Sequence, residues 1–397
     1  MARHKTLMLG VSIFLIACNL RPAITSVGPL VDSIQAALAI PGYALGMITA
    51  LPLLAFSLVS PVAPSISIRF GNERTVFLGM ILLILGIVIR ASGSAFALYF
   101  GTLVLGIGIT TGNVLIPAII KERMAAYTGI MTSIFSTCLS MAAGIASGIS
   151  IPLAIGLNWG WELTLLFWAI PATIAAVCWF PQLRYRNLTV RQSSSEKTVN
   201  KELAEVNIWK SSTAWHVTLF MGFQSFLYFT LVTWLPTILQ EQGVASSFAG
   251  WMVAYFQFVG LPFSLVMPIL AVRLRDQRVL SCLSGVCYTL GIIGILLSRD
   301  NTLFLIISVS LMGIGGSSTV SLAITFMSLR AHNGLQAAKL SGMSQSVGYL
   351  LAMFGPILLG AFADYGDIRI TGIGLMIVAG CALATFGYFS GRNRMVS

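Results

Sequence analysis

Charge is what this sequence has least of. Asp, Glu, Lys and Arg supply 9% of its 397 residues, against 57% hydrophobic, and the mean hydropathy is +0.90. A water-soluble domain of this size cannot cover its surface with so few polar groups, which excludes the soluble classes. Histidine is scarcer still: His4 and His332 fall in basic segments and His216 near the end of an apolar run. No His-Glu-x-x-His pair, Gly-x-Ser-x-Gly elbow or paired aspartates occur within a run, so a membrane-embedded enzyme has no chemistry to use. The six cysteines (Cys18, Cys138, Cys178, Cys282, Cys287, Cys381) all lie in apolar runs without ligand spacing. They read as reduced packing residues, with no metal or cofactor implied.

What is there, in quantity, is long apolar runs. Twelve are long enough to cross a bilayer core, which takes roughly 20 residues each. They cover about 7–30, 44–66, 75–91, 97–119, 128–153, 161–181, 213–238, 247–270, 278–298, 302–328, 339–363 and 370–390. The expected fold is an all-α polytopic membrane protein of twelve transmembrane helices. The start, MARHKTLMLGVSIFLIA, resembles a signal peptide, but its apolar run goes on and no small-residue cleavage site ends it. It reads as an uncleaved first span.

The net charge of +11 first suggests nucleic acid, but the positions of the cations argue against it. With the N-terminus inside, nineteen of the 23 Lys and Arg fall in cytoplasmic segments. Arg90, Arg299 and Arg369 fall in outer loops and their flanks, and Arg21 alone lies inside a run. That bias puts both termini in the cytoplasm of a bacterial-type inner membrane. The longest polar stretch, 182–212, is basic and separates six runs from six. It divides the chain into an N-terminal bundle (1–181), a cytoplasmic linker with one short surface helix around 200–209, and a C-terminal bundle (213–397).

The two halves repeat. At an offset of 204, Gly46, Pro64, Arg69 and Arg74 align with Gly250, Pro268, Arg273 and Arg278. At an offset of 207, the GIG at 106–108 aligns with that at 313–315, Arg123 with Arg330, and Pro29 with Pro236. Six spans, a linker and six spans again point to duplication and two pseudo-symmetric six-helix bundles. The loop IRFGNERTVFLG at 68–79 resembles the signature that the major facilitator superfamily carries after its second span. Arg69, Gly71 and Arg74 match, while Ile68 replaces the acidic residue. More narrowly, NLRPAITSVGPL at 19–30 and SQSVGYLLAMFGPILLG at 344–360 are similar to the cyanate / 2-nitroimidazole transporter family. The resemblance implies transport of small polar, often anionic or nitro-bearing solutes by a carrier without cofactor. By the same logic Arg69, Arg74, Arg273 and Arg278, at the negative ends of helix dipoles, are candidates for conformational gating, besides anchoring the basic side.

Arg21 is the residue that asks for a reason. A cation near a helix centre costs about 2.5–3.5 kcal/mol on insertion scales, and each of the twelve acids falls in a loop or at a helix end. Three readings stay open. Arg21 bonds carbonyls freed by Pro22, with Gln345 or Asn113; it reaches outward to Asp32; or it lines a central cavity and its partner is the substrate. In the last case its planar donors suit an oxyanion, a nitro group or a linear pseudohalide. Asn19, Asn113, Tyr228, Gln257, Gln345 and Tyr349 are candidates to complete the site, Tyr228 because the 207 offset sets it opposite Arg21. Thr25, Thr110, Thr111, Gln224, Tyr255, Ser317 and Ser318 share that depth, and each serves equally well as an interhelical hydrogen bond. Phe56, Trp168 and Trp234 are possible walls. The GIGITTG, AAGIASG, GIGGSS and GPILLG runs favour close helix contact and sliding.

The expectation is a monomeric secondary transporter working by alternating access, with the bilayer and a small solute as its partners. The alternative is a proton-linked exporter of neutral or anionic drugs; cationic drugs are disfavoured by a buried Arg without a buried acid. A sensor without flux lacks an output domain. Energetic coupling is open, since no span holds a mid-depth carboxylate and Thr102 stands where antiporters of the superfamily carry Arg.

Overall fold

A computed structural model describes residues 2–124, 127–184, 208–298, 301–332, 334–365 and 368–396. Twelve helices are long and apolar enough to cross a membrane, and no strand occurs among the described residues. They are α1 (Leu7–Leu38), α2 (Gly42–Val59), α3 (Asn72–Arg90), α4 (Ala95–Ile120), α5 (Ser133–Gly156), α6 (Gly160–Leu183), α7 (Ser212–Gln240), α8 (Ser246–Arg273), α9 (Arg278–Ser298), α10 (Thr302–Leu329), α11 (Lys339–Asp364) and α12 (Ile370–Ser390).

Two six-helix bundles result. In the first, α1 packs on α5 and α6, α3 on α4 and α6, and α2 on α4. In the second, α7 packs on α11 and α12, α9 on α10 and α12, and α8 on α10. They meet along α2–α11, α5–α8 and α1–α7. The repeat relates the second span to the eighth and the fifth to the eleventh, so the first two seams are one contact made twice about a pseudo-two-fold.

Lipid tails give apolar helices no hydrophobic reason to associate, so close packing of small residues supplies the contact. At α2–α11 the approach is backbone to backbone. A Cβ on Gly46 would fall 2.2 Å from the Pro356 carbonyl oxygen, and one on Gly360 2.2 Å from that of Gly42. Hydroxyls inside the spans return to their own helix: Thr110 donates to the Gly106 carbonyl at 2.8 Å and Thr233 to that of Phe229 at 2.7 Å. That pairing is what lets them remain in the bilayer.

Three run boundaries differ from expectation, each at prolines. The first span extends to Leu38 but is interrupted: a helix ends at Ala17, a short turn Pro22–Thr25 follows, then a 3-10 turn Gly28–Leu30. Pro22 and Pro29 each lack an N–H and crowd the carbonyl four residues back. The 44–66 run is split, because α2 stops at Val59 and a separate short helix, Ala63–Phe70, follows the Pro61 and Pro64 pair. The fifth span closes with a π-turn, Pro152–Gly156. The surface helix expected around 200–209 lies mostly outside the described residues; Ile208–Lys210 forms a 3-10 turn.

Candidate substrate site

Arg21 stands at the break in α1, just before Pro22. Its guanidinium carbon lies 5.0 Å from the ring centre of Tyr228 and 5.4 Å from that of Phe229, both on α7. Tyr228 is its repeat counterpart at the 207 offset, so the two residues touch rather than face one another across a gap. The α1–α7 crossing brings them together: a Cβ on Gly28 would lie 2.1 Å from the Val232 carbonyl oxygen. Each ring contact contributes about 0.5–2 kcal/mol depending on desolvation. Arg21 makes neither of the two ion pairs found among the described residues. Its Nη1 is buried with no hydrogen-bond partner.

The guanidinium opens on a cavity of about 60 Å³. Ser136 and Ser140 of α5, Tyr228 of α7, Gln257 of α8 and Ser317 and Ser321 of α10 line it with Arg21. A water needs about 10–15 Å³ on this measure, so the space holds a solute of a few heavy atoms; drug-sized ligands use pockets of about 300–1,000 Å³. Gln257, 3% exposed, donates from Nε2 to the Tyr228 hydroxyl oxygen at 2.9 Å. A second, largely apolar cavity of about 1250 Å³ shares Ser136, Ser264, Ser321 and Ile324 with the first. It runs between α5, α8 and α10 toward Arg273, the end that carries the basic loops.

The structure thus brings Arg21, Tyr228 and Gln257 together. It places the other candidates elsewhere. Asn19 is buried and donates from Nδ2 to the Leu15 and Pro171 carbonyls at 2.8 and 3.2 Å, fastening α1 to α6. Asn113 is half-buried on α4, outside the lining of either cavity. Gln345 donates to Ser341 Oγ at 2.8 Å on its own helix. Tyr349 is one ring removed from Arg21, edge-on to Phe229 at 6.3 Å and to Phe56 at 5.1 Å. Thr25, Gln224 and Tyr255 bond Ala143, Ser225 and Ser310. Trp234 donates to the Pro356 carbonyl at 2.8 Å. Ser136 and Ser140 were not singled out from the sequence, although hydroxyls at 133, 136, 137 and 140 repeat at helical spacing in an otherwise apolar run.

Arg90 corrects the sequence reading. Assigned to an outer flank, it is 0% exposed and donates from Nη1 to the Ala23 carbonyl at 2.5 Å. Arg21 is therefore not the only interior cation. The negative end of α3 abuts the broken part of α1, where carbonyls lack helical partners, and both favour a guanidinium.

The family model of the Major Facilitator Superfamily matches residues 7–356. The chain belongs to this superfamily. Among curated relatives, Uncharacterized transporter YycB of Bacillus subtilis (strain 168) is 43% identical over 384 residues, covering 97% of this chain and 93% of its own. The 2-nitroimidazole transporter of Escherichia coli (strain K12) is 34% identical over 391 residues, covering 98% and 97%. The cyanate transport protein CynX of the same organism is 26% identical over 376 residues, covering 92% and 94%. The chain is thus a multi-pass membrane transporter of the cyanate / 2-nitroimidazole family, and not an enzyme.

In this major facilitator transporter the four arginines expected to gate make, among the described residues, no ion pair to the other bundle. Arg69 is exposed over Phe70 at 5.6 Å, and Arg74 and Arg273 are exposed. Arg278 pairs with Asp276 at 3.2 Å. The buried polar contacts at that end are made by neighbours. Glu73, 4% exposed, pairs with Arg123 at 3.2 Å, which also reaches Gln182 at 3.1 Å. In the second half Gln277 stands at the repeat position of Glu73 and Arg330 at that of Arg123. Arg330 donates to Gln277 Oε1, and to the Ser390 and Gly391 carbonyls at 3.0 and 3.2 Å. Burial pulls its pKa below the ordinary guanidinium value, opposed by the charge of Asp276. The readable signal was Glu73, an acid where the superfamily signature has basic residues.

At the opposite end the bundles are joined directly. Asp364 of α11 accepts from the Gly42 and Tyr43 backbone N–H groups at 2.7 and 3.1 Å, capping α2. Asp32 accepts from Gln240 at 2.9 Å, and the Thr233 and Thr49 hydroxyls meet at 3.0 Å. At the basic end Ser346 donates to the Ser57 carbonyl at 2.9 Å. The small cavity continues into the larger one toward the basic end, and these seam contacts lie at the other.

Proposed function

We propose that the protein is a secondary transporter for a small polar or anionic solute, cyanate-like, nitrite- or nitrate-like or nitroimidazole-like, with Arg21 at its central site. The observation that carries this reading is a guanidinium packed against two adjacent aromatic rings, with an unpaired buried N–H, on a cavity of solute size. A paired structural arginine would spend its donors on the protein; this one keeps them for a guest. The relatives that transport 2-nitroimidazole and cyanate support the solute class. The bundles 1–181 and 213–397, joined through 182–212, rock about the site and expose it alternately. The basic loops orient the termini toward the cytoplasm of the inner membrane. The chain works as a monomer.

A guanidinium offers donors and no acceptor, so Arg21 serves as an attractor for an acceptor-bearing solute. No carboxylate lines the small cavity among the described residues. Coupling therefore falls to the solute's own proton, to acids at the helix ends, or to none.

Flux of labelled solute into proteoliposomes tests the site. Each charge-assisted hydrogen bond is worth about 1.5–3 kcal/mol, so Arg21→Gln is expected to lower flux at sub-saturating solute about a hundredfold. Arg21→Lys keeps the charge, loses the paired planar donors and is expected to lower it about tenfold. Wild-type flux by Arg21→Gln at equal expression overturns the assignment.

A further inference from the structure

We infer that the cavity selects solutes that carry an N–H or O–H donor beside their acceptor end, and that Gln257 is the residue that reads that donor. This rests on the reading of Arg21 as the centre of the site. The lining holds both donors and acceptors. Arg21 offers its guanidinium, and the Tyr228 hydroxyl oxygen is already accepting from Gln257 Nε2, which leaves its own O–H to point at a guest. Acceptors stand among the lining as well. The Gln257 amide has committed one of its two N–H groups to Tyr228, and its Oε1 has no hydrogen-bond donor among the described residues, so it is open to a guest. Ser264 Oγ donates to the Leu261 carbonyl at 2.8 Å, and Ser321 Oγ donates to the Ser264 carbonyl at 3.2 Å. Both hydroxyls line the cavity with their protons spent and their lone pairs free.

A solute that only accepts therefore answers part of the lining. A symmetric anion brings its charge toward Arg21 and leaves the Gln257 Oε1 without a donor and facing negative charge. Leaving a buried acceptor unpaired is penalised far more than a hydrogen bond is rewarded. A solute with an oxyanion or nitro end and an adjacent N–H or O–H answers Arg21 and Gln257 at once. Nitroazoles with a free ring N–H and bicarbonate have this form; nitrate and N-alkylated nitroazoles do not.

Calorimetric titration of the purified full-length protein with two matched pairs tests this: 2-nitroimidazole against its 1-methyl derivative, and bicarbonate against nitrate. The donor-bearing member of each pair is expected to bind about tenfold to a hundredfold more tightly. Gln257→Leu is expected to bring that ratio near one, by weakening the donor-bearing member and sparing the other. Tyr228→Phe frees the Gln257 amide to turn either end toward the cavity and is expected to lower the ratio as well, which keeps the test intact if Gln257→Leu does not fold. A wild-type ratio near one, or a ratio unchanged in both variants, overturns the inference while leaving Arg21 in place. Failure of all four probes to bind, or affinities untouched by Arg21→Gln, overturns the underlying site and this inference with it.

Discussion

Replacing Asp364 by alanine is expected to loosen the closed end of the transporter by an amount that can be worked from its two contacts. The carboxylate caps α2 through the Gly42 and Tyr43 amides at 2.7 and 3.1 Å, and it belongs to the other bundle. Losing an N-cap costs about 0.5–2 kcal/mol. The Asp364 side chain is exposed, so solvent screening selects the middle of that range, about 1 kcal/mol. Because the bonds exist only while the end is closed, the whole of that loss enters the open–closed equilibrium and raises the open fraction about fivefold. Thr233 reports it. It is 0% exposed and bonded across the seam to Thr49, about 10 Å in from the end of α7 at 1.5 Å per residue. A Thr233→Cys protein is treated from the Asp364 side with a membrane-impermeant maleimide, over the background of the six native cysteines. The labelling rate should rise about fivefold on adding Asp364→Ala and by less with Asp364→Asn, which keeps one acceptor oxygen. An unchanged rate in Asp364→Ala refutes the latch.

Gly46→Val should open the same end by force rather than by release, since its Cβ would fall 2.2 Å from the Pro356 carbonyl oxygen. Backbone cannot yield as a side chain does, so the cost reaches about 1–3 kcal/mol or more, and the same cysteine should label at least as fast as in Asp364→Ala. Glu73→Gln removes the carboxylate facing Arg123 at 3.2 Å. Breaking a fully buried pair costs about 3–5 kcal/mol, but the Arg123 side chain is 19% exposed, so about 2 kcal/mol is expected, read as a lower midpoint of thermal unfolding in detergent.

How much the sequence revealed depended on what each signal measures. Spans were legible because bilayer thickness sets a length that an apolar run either reaches or does not. The repeat was legible because duplication preserves spacing, and it led to Tyr228 as the partner of Arg21. Gln257 was legible because an amide inside an apolar helix has few uses. Rotation about the helix axis was not legible. Asn19 shares the depth of Arg21 but bonds α6, and Asn113 and Gln345 do not line the cavity. Arg90 was misplaced because loop counting assigns charge by position along the chain, whereas its side chain reaches Ala23 across the bundle. The seam contacts of Asp364 were out of reach because its partners are backbone amides, which every residue but proline carries.

The way Arg21 is held has a consequence for speed. An arginine tied by hydrogen bonds must break them to greet a guest and reform them when it leaves, and both exchanges add to the barriers of a cycle. Ring faces ask for no such exchange. On the proposed reading, the Arg21 guanidinium rests on Tyr228 and Phe229, and its N–H groups would exchange water for solute without first leaving a protein acceptor. Little reorganisation would then be spent on loading. For a carrier that must empty itself as readily as it fills, a charge cushioned on aromatic rings is a low-friction bearing.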